Sequence, residues 1–377
     1  MPNYSGMWTL QAQMQAISQG LWAYPPLPTG LWAWGYNNNG QLGLNDRVAR
    51  SSPVQVGTET TWLKISCGSY FTLATKTDGT LWAWGANTAG QLGQNDKVTR
   101  SSPTQVGALT TWSKVATGAN FSIAIKTDGT LWSWGTGGEG QLGQNNIIYR
   151  SSPVQVGALT TWSKIACGWG HTIAIKTDGT LWSWGQNVIG QLGDSTVITR
   201  SSPVQIGALT TWLNIGCGKY NSLSVKSDGT LWSWGSNSRG QLGQNNTTYR
   251  SSPVQVGALT TWSYVTGGYN HSLSTKTDGT LWAWGENNAG QLGDNTVVNK
   301  SSPVQVGSET TWSNINGGNS VSIATKTDGT LWSWGSNGQG QLGQNNTTYR
   351  SSPIQIGGAA NWSQISCGLY YTTATTS

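Results

Sequence analysis

The stretch LWAWGYNNNGQLG at Leu31–Gly43 decides the fold, because its two halves keep returning. LWAWG or LWSWG recurs at Leu81, Leu131, Leu181, Leu231, Leu281 and Leu331, and GQLG closes the stretch in all seven units. A third string, SSPVQVG at Ser51, returns as SSP(V/T/I)Q(V/I)G at Ser101, Ser151, Ser201, Ser251, Ser301 and Ser351. The period is fifty residues without slippage. Such a fixed period means stacked copies of one supersecondary unit, none of which buries its apolar face alone.

Each unit reads as β structure. In residues 61–107, Trp62, Ile65 and Cys67 mark a first strand and Phe71 to Lys76 a second, rich in aromatic and β-branched residues. Thr77-Asp78-Gly79-Thr80 supplies an Asp-Gly hairpin turn. Leu81 to Trp84 is a third strand, and Gly85, Gly90 and Gly93 punctuate the loop after it. Thr104 and Val106 mark a short fourth strand after Pro103, since proline suits a strand's start. Four short antiparallel strands in each of seven units make a β-propeller. The tryptophans in register with Trp62, Trp82 and Trp84 make up 21 of the 24 and are expected mostly between blades.

The ends say how the ring closes. Ser377 aligns with Thr77, just before the Asp-Gly turn, and Thr29-Gly30 aligns with the residues just after it. The termini therefore meet at a missing hairpin. Strands 362–367 and 370–376 are expected to join strands 30–34 and 53–57 in one composite blade, which leaves no long exposed edge. The expected fold is all-β: a seven-bladed propeller of four-stranded blades over residues 29–377, closed by a blade shared between N- and C-terminal strands.

Residues 1–28 lie outside the repeat. Trp8, Leu10, Met14 and Ile17 fall on roughly one helical face, with Ser5 as a cap and Gly20 as a stop. A stiff Tyr24-Pro25-Pro26-Leu27-Pro28 linker follows. Two readings of this helical leader stand: a cap folded on the propeller, or a docking peptide that attaches it to a larger assembly.

The repeated LWxWGxNxxGQLG, preceded by strands such as IACGWGHTIAIKTDG at Ile165–Gly179, resembles the regulator of chromosome condensation repeat family. Kelch repeats ask for a Gly-Gly pair that these units mostly lack, and WD repeats for a Trp-Asp pair. The resemblance covers about residues 29–377 and implies a seven-bladed propeller closed by shared strands. The family's founding member is a nucleotide-exchange factor for a small nuclear GTPase, binds chromatin and carries an inserted β-wedge. Here all units have one length, leaving no insertion for a wedge, and no basic tail precedes them. Exchange activity is therefore not carried over. The leader MPNYSGMWTLQAQMQAISQGLWAYPP is similar to short leaders on structural proteins of tailed phages.

Composition narrows the function. Only 9% of residues are charged, against about a quarter in ordinary soluble domains. A surface of Gly, Ser, Thr, Asn and Gln fits an extracellular or virion setting, yet no basic and apolar secretion signal opens the chain. A virion protein released by lysis satisfies both. Net charge is +6 and no run of Lys or Arg occurs, which argues against a nucleic-acid partner. No segment is long and apolar enough to span a membrane.

Nothing points to catalysis, a metal or another cofactor. Cys67, Cys167, Cys217 and Cys367 hold one repeat position that elsewhere is Thr117, Gly267 or Gly317, so they read as small packed side chains. Equivalent points on different blades are not expected to meet in a disulfide. His171 and His271 share a position with Phe71, Phe121, Asn221, Val321 and Tyr371, two blades apart, a poor metal site. Asp78 and its equivalents are turn residues. Arg50 and its equivalents form a ring of cations, read either as structural bonds or as contacts to an anionic surface. Lys76 and its equivalents are expected to flank the turn in solvent.

The units differ where function is expected. The loop after the first strand varies, and Tyr70, Trp169, Tyr220, Tyr269 and Tyr370 fall in it. If the first strand is innermost, these aromatics gather at one mouth of the central channel, a surface suited to protein or glycan recognition. A second variable set lies in the Gly-rich loop, including Tyr36, Asn38, Glu139 and Arg239. Selection for a partner and neutral drift both produce such variation. The leading expectation is a non-enzymatic scaffold: a virion structural or adhesion protein of a tailed phage, docked to other virion proteins through residues 1–28. The alternatives are an intracellular, cytoplasmic regulator binding a small GTPase or chromatin, and a lectin-like adhesin binding a host-surface glycan.

Overall fold

A computed structural model describes residues 27–359 and 361–377. The proposed helix carrying Trp8, Leu10, Met14 and Ile17 lies outside the described residues. Among the described residues, 28 strands, β1 to β28 in chain order, form seven separate four-stranded antiparallel sheets. One sheet is typical: β3 (Trp62–Cys67), β4 (Phe71–Lys76), β5 (Leu81–Gly85) and β6 (Arg100–Gln105) pair in sequence order. The ring closes as the sequence requires. β1 (Gly30–Gly35) pairs with β28 (Tyr371–Thr376), from Gly30 opposite Thr376 to Gly35 opposite Tyr371, and the sheet runs β2-β1-β28-β27. Leu27 is tied to this blade, where its carbonyl accepts from Asn361 Nδ2 at 2.8 Å.

The first strands of neighbouring blades pack against one another, which puts them around the axis. The fourth strand is therefore outermost. It begins at Arg100, earlier than Pro103 suggests. Gly85 faces Arg100 and Ala83 faces Thr104, so Ser101, Ser102 and Pro103 bulge opposite Trp84 alone. The missing proline N–H thus removes no ladder bond.

Tryptophan fills the seams between blades. Trp84 and its equivalents are wholly buried, and Trp62 and its equivalents nearly so. Trp62 packs edge-on against both Trp84 and Trp82, at 5.8 and 6.1 Å between ring centroids. Trp82 and its equivalents are half-buried, toward the outside. In six of the seven a lysine lies over one ring face, contrary to the expectation that Lys76 and its equivalents stand in water; beside Trp32 the equivalent residue is Thr376. Lys76 is buried, with its Nζ 3.9 Å from the Trp82 ring centroid and 3.0 Å from Glu59 Oε2. The ammonium of Lys126 lies 3.5 Å from the Trp132 centroid. The alkyl stem covers an apolar ring while the cation meets its π-face.

The repeated polar residues are structural. Asn37 is fully buried, its Oδ1 accepting from Leu42 N and its Nδ2 donating to the carbonyls of Asp46 and Val48. Gly43 has φ +75°, and a Cβ there would stand 2.8 Å from Trp84 Nε1. That explains the last glycine of GQLG: no other residue lets the loop lie on the neighbouring indole.

Candidate functional site

Strand directions sort the loops onto two faces. Loop 68–70 and the long loop 86–99 lie at one end of the strands, while the Asp-Gly turn and residues 106–111 lie at the other. Both variable sets therefore share a face. Residues 27–29 lead into the start of β1, so the chain enters the ring from the opposite face.

The short loops meet around the axis, as expected of loops that follow innermost strands. Backbone hydrogen bonds link them in series: Ser69 N to Ala119 O, Ala119 N to Trp169 O, Trp169 N to Lys219 O and Lys219 N to Tyr269 O. Tyr269 N continues to Gly318 O, and Leu369 N returns to Ser69 O. Inside this collar the channel is only about 120 Å³, lined by Cys67, Gly68 and their equivalents. The axis is a plug, and the collar presents its side chains outward on a rigid frame.

Those side chains form two clusters. Lys219 Nζ stands 4.2 Å from the Tyr269 ring centroid, 4.7 Å from Tyr220 and 5.1 Å from Trp169. Trp169 and Tyr269 meet edge to face at 5.6 Å and 86°. Across the mouth, Tyr36 packs against Tyr70 at 5.8 Å and against Tyr370 at 6.4 Å. Burial, then the neighbouring Tyr370 and Tyr36, raise the Tyr70 phenol above its ordinary range. All five predicted aromatics are half-buried at this mouth. Sequence reasoning left Lys219 and Tyr36 out of that set, although both sit at positions where the units differ. Beside Trp169 lies a recess of about 140 Å³, walled by Asn120, Glu139, Gln141 and Gln186. Farther out, Arg239 pairs with Glu286 at 3.7 Å, and Glu286 accepts from Asn270.

The other candidates resolve into structure. His171 is fully buried and bonds Ser222 Oγ of the next blade at 3.0 Å. That hydroxyl donates to Gln191 O, so it accepts from the imidazole, and Nε2 carries the proton. Burial lowers the imidazole to about 3, and that of His271 to about 4. Both rings are neutral spacers. The four cysteines are free thiols in the channel wall. Cys67 and Cys367 lie on adjacent inner strands, where Cys67 Sγ approaches Ser366 O at 3.6 Å, and the two do not form a disulfide. Burial raises every one of them, Cys167 to about 12, so they are poor nucleophiles. Among the described residues no group of three His, Cys, Asp or Glu could hold a metal ion, and no helix is long and apolar enough to cross a membrane. The ring of cations is largely spent locally. Arg50 pairs with Asp46 and Arg100 with Asp96, both at 2.6 Å.

Comparison with known proteins agrees with this geometry. The profile of the RCC1-like domain matches residues 31–374. No curated protein matches the chain in sequence. Among solved structures, human WBSCR16 superposes with a TM-score of 0.83 at 22% identity, covering 92% of this chain and 98% of that one. Prp20p from Saccharomyces cerevisiae, described with its binding to Gsp1p and histones, gives 0.82 at 21% identity, covering 94% and 92%. Yeast RCC1 (Prp20) bound to Kap60 gives 0.82 at 20% identity, covering 100% and 96%.

Proposed function

The chain belongs to the RCC1-like domain family, and from that premise we propose that it is a protein-binding propeller whose contact surface is the channel mouth. One observation carries the reading. Trp169, Tyr220 and Tyr269 surround Lys219 on a collar already fixed by backbone hydrogen bonds. Large aromatic side chains on a rigid frame lose little conformational freedom on binding, and such residues make the anchors of protein interfaces. The mouth also carries both charge signs beyond its aromatic centre, in Arg239, Glu286 and Glu139, which gives a partner a register.

The partner class follows the regulator reading, inside the cell. Prp20p is described as binding Gsp1p and histones, and yeast RCC1 as bound to Kap60. Family membership supports this reading ahead of a tailed-phage virion role or a lectin-like adhesin. The activity in this reading is binding, since the units are equal in length and leave no insertion for a wedge. The test measures binding of purified small GTPases and of core histones to the propeller, with nucleotide exchange followed in parallel. Micromolar or tighter binding that Trp169→Ala abolishes, without faster exchange, is expected. Accelerated exchange would show that the chain acts as more than a binder.

Residues 1–28 serve in this reading as a tether leaving from the face opposite the mouth. Sedimentation of the native protein with and without them tests this. A large particle that the truncated chain leaves supports the tether, and a monomer in both cases, of 40.1 kDa for the full chain, removes it.

A further inference from the structure

The seven outer seams are not equivalent. Among the described residues, the grooves after two of the blades each open into a cavity of about 500 Å³, of one composition in both. The first is walled by Gln244, Arg250, Leu259, Trp262, Trp282 and Pro303. The second has Gln144, Arg150, Leu159, Trp162, Trp182 and Pro203, the same residue types one hundred positions earlier. The outermost strands Arg250–Gln255 and Arg150–Gln155 contribute to these walls, so the cavities lie at the periphery, away from the channel mouth.

Charge sets these seams apart from four of the others. At four of the other five positions the equivalent cation is neutralised by an acid of its own loop: Arg50 by Asp46, Arg100 by Asp96, Arg200 by Asp194 and Lys300 by Asp294. The fifth, Arg350, also has amides in its loop, but its seam carries Ala359 where Leu159 and Leu259 stand. Where Arg150 and Arg250 stand, that acid is replaced by amides. Arg150 Nε donates to Gln144 Oε1 at 3.2 Å, and Gln144 Nε2 in turn donates to Ser133 Oγ at 2.8 Å. Arg250, Gln244 and Ser233 repeat the relay, at 3.2 and 3.1 Å. The relay pins each guanidinium through Nε. Among the described residues no carboxylate meets either arginine, and their Nη atoms make no hydrogen bond. A planar fork held this way matches a carboxylate in two-pronged geometry.

The rest of the cavity asks for a particular anion. Two tryptophans and an exposed leucine give an apolar wall, while the amide and guanidinium groups stand at the loop side. A pyranose ring bearing a carboxylate has the same division: an apolar face of C–H groups and a charged edge. A volume of about 500 Å³ falls within the range of small-molecule sites. We propose that these two seams are binding sites for an acidic sugar, with the carboxylate on Arg150 or Arg250 and the ring against the apolar wall. Two equal sites on one rigid ring would favour a polyanionic glycan over a free sugar through multivalency.

Calorimetric titration of the full chain with glucuronic acid, glucose and hexaglutamate tests the assignment. Glucuronic acid is expected to bind with at least two equivalents per chain and at least tenfold more tightly than glucose. Arg150→Gln combined with Arg250→Gln should weaken it at least tenfold, while Arg200→Gln leaves it unchanged. Leu159→Ala with Leu259→Ala, which keeps both cations and alters only exposed side chains, should weaken it severalfold. Glucose binding as tightly as glucuronic acid would overturn the proposal. So would an unchanged affinity in the double arginine variant with a native near-ultraviolet tryptophan spectrum. Tighter, arginine-dependent binding of hexaglutamate would also overturn it, in favour of an acidic peptide.

Discussion

The indole Nε1 of Trp84 donates to the backbone carbonyl of Gln41 at 2.9 Å, across the seam between two blades. The bond recurs at Trp34, Trp134, Trp184, Trp284 and Trp334, each at 2.9 Å. Trp234 is the exception, with a buried Nε1 that has no partner. The same buried indole thus holds the seams with unequal energy.

Replacing the indole should reveal that inequality. Trp84→Phe removes a made hydrogen bond, whereas Trp234→Phe removes a buried donor that has none. The carbonyl of Gln41 keeps Thr72 Oγ1 at 3.0 Å in either case. Both changes lose similar packing, so Trp84→Phe should be the more destabilising by about 1–2 kcal/mol. Denaturant unfolding of the two variants measures the difference, and equal losses would contradict the account.

Acid should loosen the ring through its two buried histidines. Both are neutral in the folded protein, at about 3 for His171 and about 4 for His271, against an ordinary 6.5. A depressed folded value means that the unfolded chain takes up the proton first. The stabilisation is whole above pH 6.5 and is lost as pH falls toward the folded values. At pH 4 each histidine should have lost about 3 kcal/mol relative to neutral pH. The double variant His171→Phe, His271→Phe carries the residue found at Phe71 and Phe121, and should flatten the fall in melting temperature between pH 6.5 and pH 4. An unchanged slope would show that the histidines do not set it.

Asn221 occupies the same position and is badly served there. It is fully buried, and neither Oδ1 nor Nδ2 has a hydrogen-bond partner. Ser272 of the next blade already donates to Gln241 O and has a lone pair to offer, as Ser222 does to His171. Asn221→His should therefore create the missing bond and raise stability by about 1 kcal/mol at pH 7.5. It should also steepen the acid slope. A lower melting temperature at pH 7.5 would mean that the pocket around Gly218 cannot hold the ring.

Much of this was legible in the sequence, for a physical reason. A fifty-residue period constrains every unit to one geometry, so strand positions such as Phe71–Lys76 and the closure of β1 on β28 follow from alignment alone. Lys76 was not legible, because a lysine beside an Asp-Gly turn looks solvated until the neighbouring Trp82 is seen beneath it. The start of the outer strand at Arg100 was hidden by Pro103, whose bulge only the register reveals. At the mouth, the aromatic positions could be named from their variability. Their convergence on Lys219 could not, since it depends on which loops of different blades become neighbours. The virion expectation rested on composition and a short leader, neither of which specifies a contact surface.

The central claim is that a protein partner docks on the mouth of this RCC1-like propeller. The most direct measurement places a photocrosslinking amino acid at Tyr269, in the mouth, or at Leu259, on the opposite face, and then titrates the purified partner so identified. The account predicts crosslinking from position 269 alone, and a loss of affinity of at least 30-fold, about 2 kcal/mol, in Trp169→Ala. Crosslinking from position 259 alone, or an affinity unchanged by Trp169→Ala, would contradict it.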